Sequence, residues 1–255
     1  MTIAITREIS PRFNECEITH IERTPIDLDI ARTQHEDYVR ALKSRGCGCD
    51  VVELPAEADL PDSVFVEDAA FILPEVAVIT RPGAYSRKPE TESIAQALSP
   101  FKKLVYLKEP ATLDGGDVLV MAKRIFIGLS TRSNPEAIDQ LNLLIGKYGY
   151  AVTGVQLHDC LHLKTAISRV DDGTLLINKN WLDTLHFQDF HLIEVHPDEP
   201  FAANCLPVGD SIIYPTSFPK TCARLEEAGY KMVRVDVSEI AKAEGAVTCC
   251  SLIIQ

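Results

Sequence analysis

The chain has 255 residues, 46% of them hydrophobic and 24% charged, with a formal net charge of −12. A chain this long can bury a sizeable core, and its acidity argues against nucleic acid or an anionic membrane as main partner. No apolar run approaches the roughly 18 residues that a membrane span needs, and Arg7 and Glu8 stand where a secretion signal would be apolar.

Eight cysteines in so long a chain do not form the dense disulfide framework of a small secreted domain. Free thiols in a reducing cytoplasm are expected. Cys47-Gly-Cys49 and Cys249-Cys250 lack the spacing of a structural zinc site. Cys16, Cys160, Cys205 and Cys222 read as small apolar packing residues.

Taken in order, the elements repeat. A strand at residues 3–6 precedes a helix over 27–45, with Ile30, Tyr38, Val39 and Leu42 at helical spacing and Gly46 as its stop. A short apolar strand follows at 51–55, then an acidic segment and a hairpin reached through 66–71. The second round is a helix at 90–98, a strand at 104–107 and a hairpin reached through 113–118. In the third, Asn134-Pro135 supplies an N-cap and first-turn proline for a helix carrying Ile138, Leu141, Leu144 and Ile145. A strand at 152–157 and the segment 161–165 complete it, with turn chemistry at Val170-Asp-Asp-Gly173.

The fourth helix, near residues 180–187, is poorly patterned; a strand at 192–195, the segment 202–205 and a turn at Val208-Gly-Asp210 come after it. The fifth round has a helix over 219–228, a strand at 232–237, the segment 247–251 and a last strand at 251–254. The strands recur at intervals of about 40 to 55 residues, one supersecondary unit per interval. The N-terminal strand can partner the last one, closing a ring. With no linker or low-complexity segment, residues 1–255 are expected to form one domain. A doubly wound parallel sheet also alternates helix and strand, but no G-x-G-x-x-G turn follows the first strand and recurring hairpins suit it poorly.

In a closed ring, equivalent positions meet at one axis, and these are Asp68, Asp114, His162, Asn204 and Cys249. Cys249 can serve as a thiolate nucleophile and His162 as a proton carrier that activates it. Asp114 can orient His162, and Asp117, after two glycines that permit close backbone approach, can hold the loop. Asp62, Glu67 and Asp68 surround the apolar Val64, Phe65 and Val66, where burying three acids calls for a cation. A guanidinium presents forked donors that match paired carboxylates. Arg87 and Arg132 each follow a hairpin and can clamp a carboxylate.

The blocks Asp62-Ser-Val-Phe-Val-Glu-Asp68, Ile79-Thr-Arg-Pro-Gly83, Thr112-Leu-Asp-Gly-Gly-Asp117, Leu161-His-Leu-Lys164, Ala202-Ala-Asn-Cys205 and Thr248-Cys-Cys-Ser251 run nearly end to end. In them the chain resembles the dimethylarginine dimethylaminohydrolases, members of the guanidino-modifying enzyme superfamily. The resemblance implies an α/β fold, the five-bladed α/β propeller called pentein, and hydrolysis of Nω-methylated arginine to citrulline plus dimethylamine or methylamine. It implies Cys249 as nucleophile through a covalent thiouronium, His162 as general acid and base, and Asp114 as its carboxylate partner. Asp68 then grips the guanidinium, with Asp62 and Glu67 as further substrate or support carboxylates. Arg87 and Arg132 take the substrate α-carboxylate, Ile18 occupies the lid-loop position, and Ala243 lines the pocket. No metal or organic cofactor is needed. The expected partner is a small cationic amino acid, not nucleic acid or membrane, and a homodimer is compatible with a propeller of this size. The alternatives are another guanidino hydrolase, such as arginine deiminase, and a catalytically silent methylarginine-binding protein.

Overall fold

Local chemistry sets the helices. Asp27 accepts the backbone N–H groups of Asp29 and Ile30 and so caps the helix Leu28–Lys43, whose last turn carries Arg40 and Lys43. Its inward face is Ala31, Gln34, His35, Tyr38 and Leu42, while Ile30, expected inside, is 48% exposed. Ser44 rather than Gly46 ends this helix in an extended conformation, and Gly48 supplies the left-handed turn with φ +64°. Asn134 accepts the N–H of Ala137 and caps Pro135–Ile145, as its sequence predicts. The helices Glu90–Leu98 and Pro219–Glu227 also fall where expected. In the poorly patterned fourth unit there is only a short 3-10 turn, Thr184–Phe187, anchored by Phe187 against Phe126 at 4.8 Å between ring centres.

The computed structural model describes residues 2–255. Their strands form five three-stranded sheets on one plan. An antiparallel hairpin is followed by a crossover to a third strand parallel to the second. The hairpins are Ala70–Ile72 with Ala77–Ile79, Val118–Met121 with Arg124–Leu129, Ile167–Arg169 with Thr174–Ile177, and Leu206–Val208 with Ser211–Pro215. Their third strands are Leu104–Tyr106, Ala151–Gln156, His191–Glu194 and Met232–Val235. The remaining blade joins distant parts of the chain. Thr2–Arg7 pairs antiparallel with Leu252–Ile254, setting Ile3 opposite Ile254, and parallel with Cys49–Leu54. This is a five-bladed α/β propeller.

Apolar residues between the blades hold it together. Ile3, Ile5, Leu252 and Ile254 of the joining blade pack against Val66, Ala77, Ile79, Ile94 and Leu98 of the next. Each such Leu or Ile side chain contributes about 1.5–3 kcal/mol when fully buried.

The segments leading into the hairpins are not strands at their start. Val66–Ala69 and Gly115–Asp117 are 3-10 turns and Leu163–Ala166 is a single helical turn, so the strands begin later than the sequence pattern implies. These turns are stitched into a closed circuit. The Gly116 N–H donates to Asp68 Oδ1 at 2.9 Å, and the Leu163 N–H to Asp117 Oδ1 at 2.9 Å. Asn204 Nδ2 donates to the Lys164 carbonyl at 3.1 Å, and the Thr248 N–H to Asn204 Oδ1 at 3.1 Å. The Glu67 N–H then donates to the Cys249 carbonyl at 3.2 Å and completes the loop. Buried backbone groups need partners, and each blade finds one on its neighbour.

Candidate active site

Because the turns sit in matching places, their side chains converge. Cys249, His162, Asp68 and Asp62 line one well, with Arg87 and Arg132 at its side and Ala243 in its wall. Asn204 belongs to the circuit beneath. All eight cysteines are free thiols, and Cys249 is the one that is not fully buried. The Ala246 N–H points at its Sγ at 3.4 Å.

His162 is set from two sides. Asp114 Oδ2 lies 3.1 Å from Nε2, and the other Asp114 oxygen accepts the Gly83 N–H at 2.9 Å. Asp117 accepts hydrogen bonds from the hydroxyls of Ser130 and Ser133, both at 2.6 Å, besides that of Leu163. The Ser133 oxygen in turn accepts the Asp114 N–H at 3.2 Å. The turn can come this close only because it is glycine. A Cβ on Gly116 would stand 2.6 Å from His162 Nδ1 and 2.9 Å from Asp68 Oδ1, and one on Gly115 would meet the Glu67 carbonyl at 1.9 Å.

Charges in the well balance in an instructive way. Burial opposes the imidazolium, yet Asp68, Asp117 and Asp114 outweigh it and push the His162 pKa up to about 9. Burial, with Glu67 and Asp68, pushes the Cys249 thiol up to about 12. Asp68 resists burial because Arg87 and His162 hold its carboxyl down to about 2. Burial raises Asp117 to about 6 and Glu90 to about 7. These shifts favour a protonated His162, a neutral thiol and an ionised Asp68 near neutrality.

The arginines are placed differently from each other. Arg87 is buried, with Nη1 donating to Asp68 Oδ2 at 2.7 Å and Nε and Nη2 donating to Glu90 at 3.1 and 2.9 Å. Arg132 is 8% exposed and reaches Thr19 Oγ1 at 3.0 Å. Asp62 accepts the Glu17 N–H and, from its carbonyl, binds Arg87. Ile18 packs half-buried against the core while its neighbour Glu17 lines the well. The Glu67 side chain faces away from the well and lines a cavity of about 520 Å³ on the other side, with Lys164 and Thr248.

Two participants in the site were not expected there from the sequence, although Tyr38 was expected on a helix face. Glu244, which lines the well at φ +59°, accepts the N–H groups of Thr19 at 3.0 Å, His20 at 2.5 Å and Ile21 at 3.0 Å. Tyr38 donates to the Val247 carbonyl at 2.8 Å and lies 2.7 Å from the Ser251 hydroxyl, pinning both flanks of the nucleophile turn. The well, lined by Glu17 and Glu244 among others, holds about 20 Å³, room for little more than one water. Donor atoms of Asp68, Asp114 and His162 lie within 4.8 Å of one another, close enough to hold an ion. Arg87 and Gly116 already take both Asp68 oxygens, however, so that donor set is occupied from within.

Known proteins share this arrangement of chain. A family model described as N,N dimethylarginine dimethylhydrolase, eukaryotic, matches residues 14–254. The N(G),N(G)-dimethylarginine dimethylaminohydrolase of Pseudomonas aeruginosa is 38% identical over 228 residues, 89% of each chain. That of Streptomyces coelicolor is 38% identical over 250 residues, 98% of this chain and 95% of its own. The solved structure of the Pseudomonas aeruginosa enzyme, a cysteine-to-serine mutant complexed with citrulline, superposes with a TM-score of 0.93. It is 34% identical there and covers 98% of both chains. The chain therefore belongs to the N,N-dimethylarginine dimethylhydrolase family.

Proposed function

We propose that this chain hydrolyses Nω-methylated arginine to citrulline and methylamine or dimethylamine, with residues 1–255 acting as one catalytic domain. The observation that carries the reading is the meeting of the half-buried Cys249 thiol and the His162 imidazole beside Asp62 and Asp68 in one well. The citrulline held by the Pseudomonas aeruginosa relative is the product this chemistry requires.

The charge balance suggests the order of events. Since His162 already holds its proton, it is not the base for the thiol. A cationic substrate entering between Asp68 and Asp62 adds positive charge beside Cys249 and favours loss of the thiol proton to solvent. The thiolate attacks the guanidinium carbon, which becomes tetrahedral. His162 gives its proton to the methylated nitrogen, the C–N bond breaks, and the amine leaves. An S-alkylthiouronium remains on Cys249. Neutral His162, held by Asp114, takes a proton from water as its oxygen adds to the same carbon. The C–S bond breaks as the remaining hydroxyl proton passes to solvent, releasing citrulline and restoring the thiolate. Dividing one hydrolysis into two steps lowers each barrier.

Asp68 is read as the group that grips the guanidinium nitrogens, resisting the loss of resonance as the carbon changes geometry. Arg132 and Arg87 are read as the α-carboxylate clamp, Arg87 exchanging part of its Asp68 contact for the ligand. Ala243 bounds the aliphatic stem. Ile18 rides the segment that covers the well, and Glu67 supports the nucleophile turn from behind. The substrate is a small cationic amino acid. The described residues contain no helix long and apolar enough to cross a membrane, and the free thiols fit a reducing cytoplasm.

The test is citrulline formation from asymmetric dimethylarginine by the wild-type protein and by Cys249→Ser. Product from the first and none from the second is expected. No citrulline from the wild type, or equal amounts from both, would overturn the assignment.

A further inference from the structure

Neighbouring residues in three of the turns face opposite sides of one thin layer. Asp68, His162 and Cys249 face the well, whereas Glu67, Lys164 and Thr248 face the 520 Å³ cavity behind it. Those rear residues are joined. Lys164 Nζ donates to Glu67 Oε1 at 2.5 Å and to the Gly115 carbonyl at 3.1 Å. Glu67 Oε2 accepts the Thr248 hydroxyl at 2.8 Å, and Asn204 Nδ2 donates to that same hydroxyl at 3.0 Å. Thr248 is covalently bonded to Cys249, and the Glu67 N–H holds the Cys249 carbonyl. One ammonium thus ties together the turn bearing His162, the glycine turn and the turn bearing the nucleophile.

We propose that Lys164 is a positioning residue for the reaction described above, acting on Cys249 from behind. Through Glu67 and Thr248 it fixes the backbone of the nucleophile, and its charge offsets the Glu67 carboxylate with which it pairs.

The offset has a sign that can be checked. Glu67 and Asp68 raise the Cys249 pKa, and Lys164 lowers it. His162, Lys164 and Tyr38 face the thiol from other elements, and Cys250 and Glu244 from its own segment. Glu17, Asp62, Arg87 and Arg132 surround the mouth. Among them, Lys164 and Glu67 are the pair that lines the rear cavity and not the well.

The experiment alkylates the protein with iodoacetamide across pH and quantifies the Cys249 peptide by mass spectrometry. This readout needs no substrate, so it stands or falls separately from citrulline formation. Lys164→Met is expected to move the alkylation midpoint to higher pH, slowing labelling about tenfold at a fixed pH for each unit moved. Glu67→Gln is expected to move it to lower pH. The double variant, in which no buried charge is left unpaired, is expected to lie between them, and Lys164→Arg to restore the wild-type profile. Opposite shifts support the proposal even if no citrulline is ever formed. Midpoints that stay put, or move the same way in both single variants, overturn it even in a protein that makes citrulline normally. If Lys164→Met does not fold, Glu67→Gln and the double variant still give the comparison: equal midpoints in those two overturn the role of the ammonium.

Discussion

Asp117 accepts the Leu163 N–H at 2.9 Å, so the residue after His162 is held by a carboxylate of the neighbouring blade. The same carboxylate takes two serine hydroxyls, one of which supports Asp114. Histidine and its partner are therefore positioned by one buried acid that touches neither the sulfur nor the mouth. Asp117→Ala is expected to lower stability by about 1–3 kcal/mol, because three donors are left unsatisfied. It should also reduce kcat more than KM. Urea denaturation and steady-state citrulline assays would check both; unchanged kcat would remove Asp117 from the catalytic support.

His162 makes stability depend on pH. Its folded pKa of about 9 lies above its ordinary value of 6.5, so the folded state holds the proton more tightly than the unfolded one. That contribution is complete below pH 6.5 and is lost as pH rises through about 9. The wild type should lose urea resistance across this window more steeply than His162→Asn. Parallel curves for the two proteins would refute the raised pKa.

Gly116 marks how closely the turns approach. Gly116→Ala is expected to leave the far-ultraviolet circular dichroism unchanged while cutting citrulline production at least about 100-fold, a loss of the size expected when a proton-transfer group is displaced. The new methyl group collides with the imidazole and with Asp68 at 2.6 and 2.9 Å. Full activity would mean that these groups can step aside.

Glu244, in the wall of the well, ties down residues 19–21. Its carboxylate makes three hydrogen bonds, each worth about 0.5–1.5 kcal/mol. Glu244→Ala should speed amide hydrogen exchange at Thr19, His20 and Ile21 at least about tenfold and raise KM. Exchange that does not change would show that other contacts hold the segment closed.

The fold was legible in the sequence because hairpin turns, helix caps and short strands recur in one order, about once every 40 to 55 residues. Asn134 and Pro135 shaped a helix start as their chemistry requires, and the two end strands paired as the ring demands. The meeting of Cys249, His162, Asp68 and Asp114 followed from register together with the motif blocks that carry the family resemblance. Ile30 misled because helical spacing does not say which of two adjacent faces is covered. The roles of Lys164, Glu244 and Tyr38 were hidden, since their partners lie 97, 225 and 209 positions away and only the finished ring brings them together. The direction of the Glu67 side chain was equally hidden: adjacent acids look alike in a sequence but point to opposite faces of the layer.

The strand Leu252–Ile254 follows Cys249 by three positions and finds its mate at Thr2–Arg7. That is among the most remote pairings a chain of this length can make, and such contacts carry the largest loop-closure entropy and form slowly. A polypeptide emerging from the ribosome would complete four blades before it could seat its reactive sulfur. Half-made copies would then carry an unarmed thiol, and competence would arrive only with the clasp of the last blade.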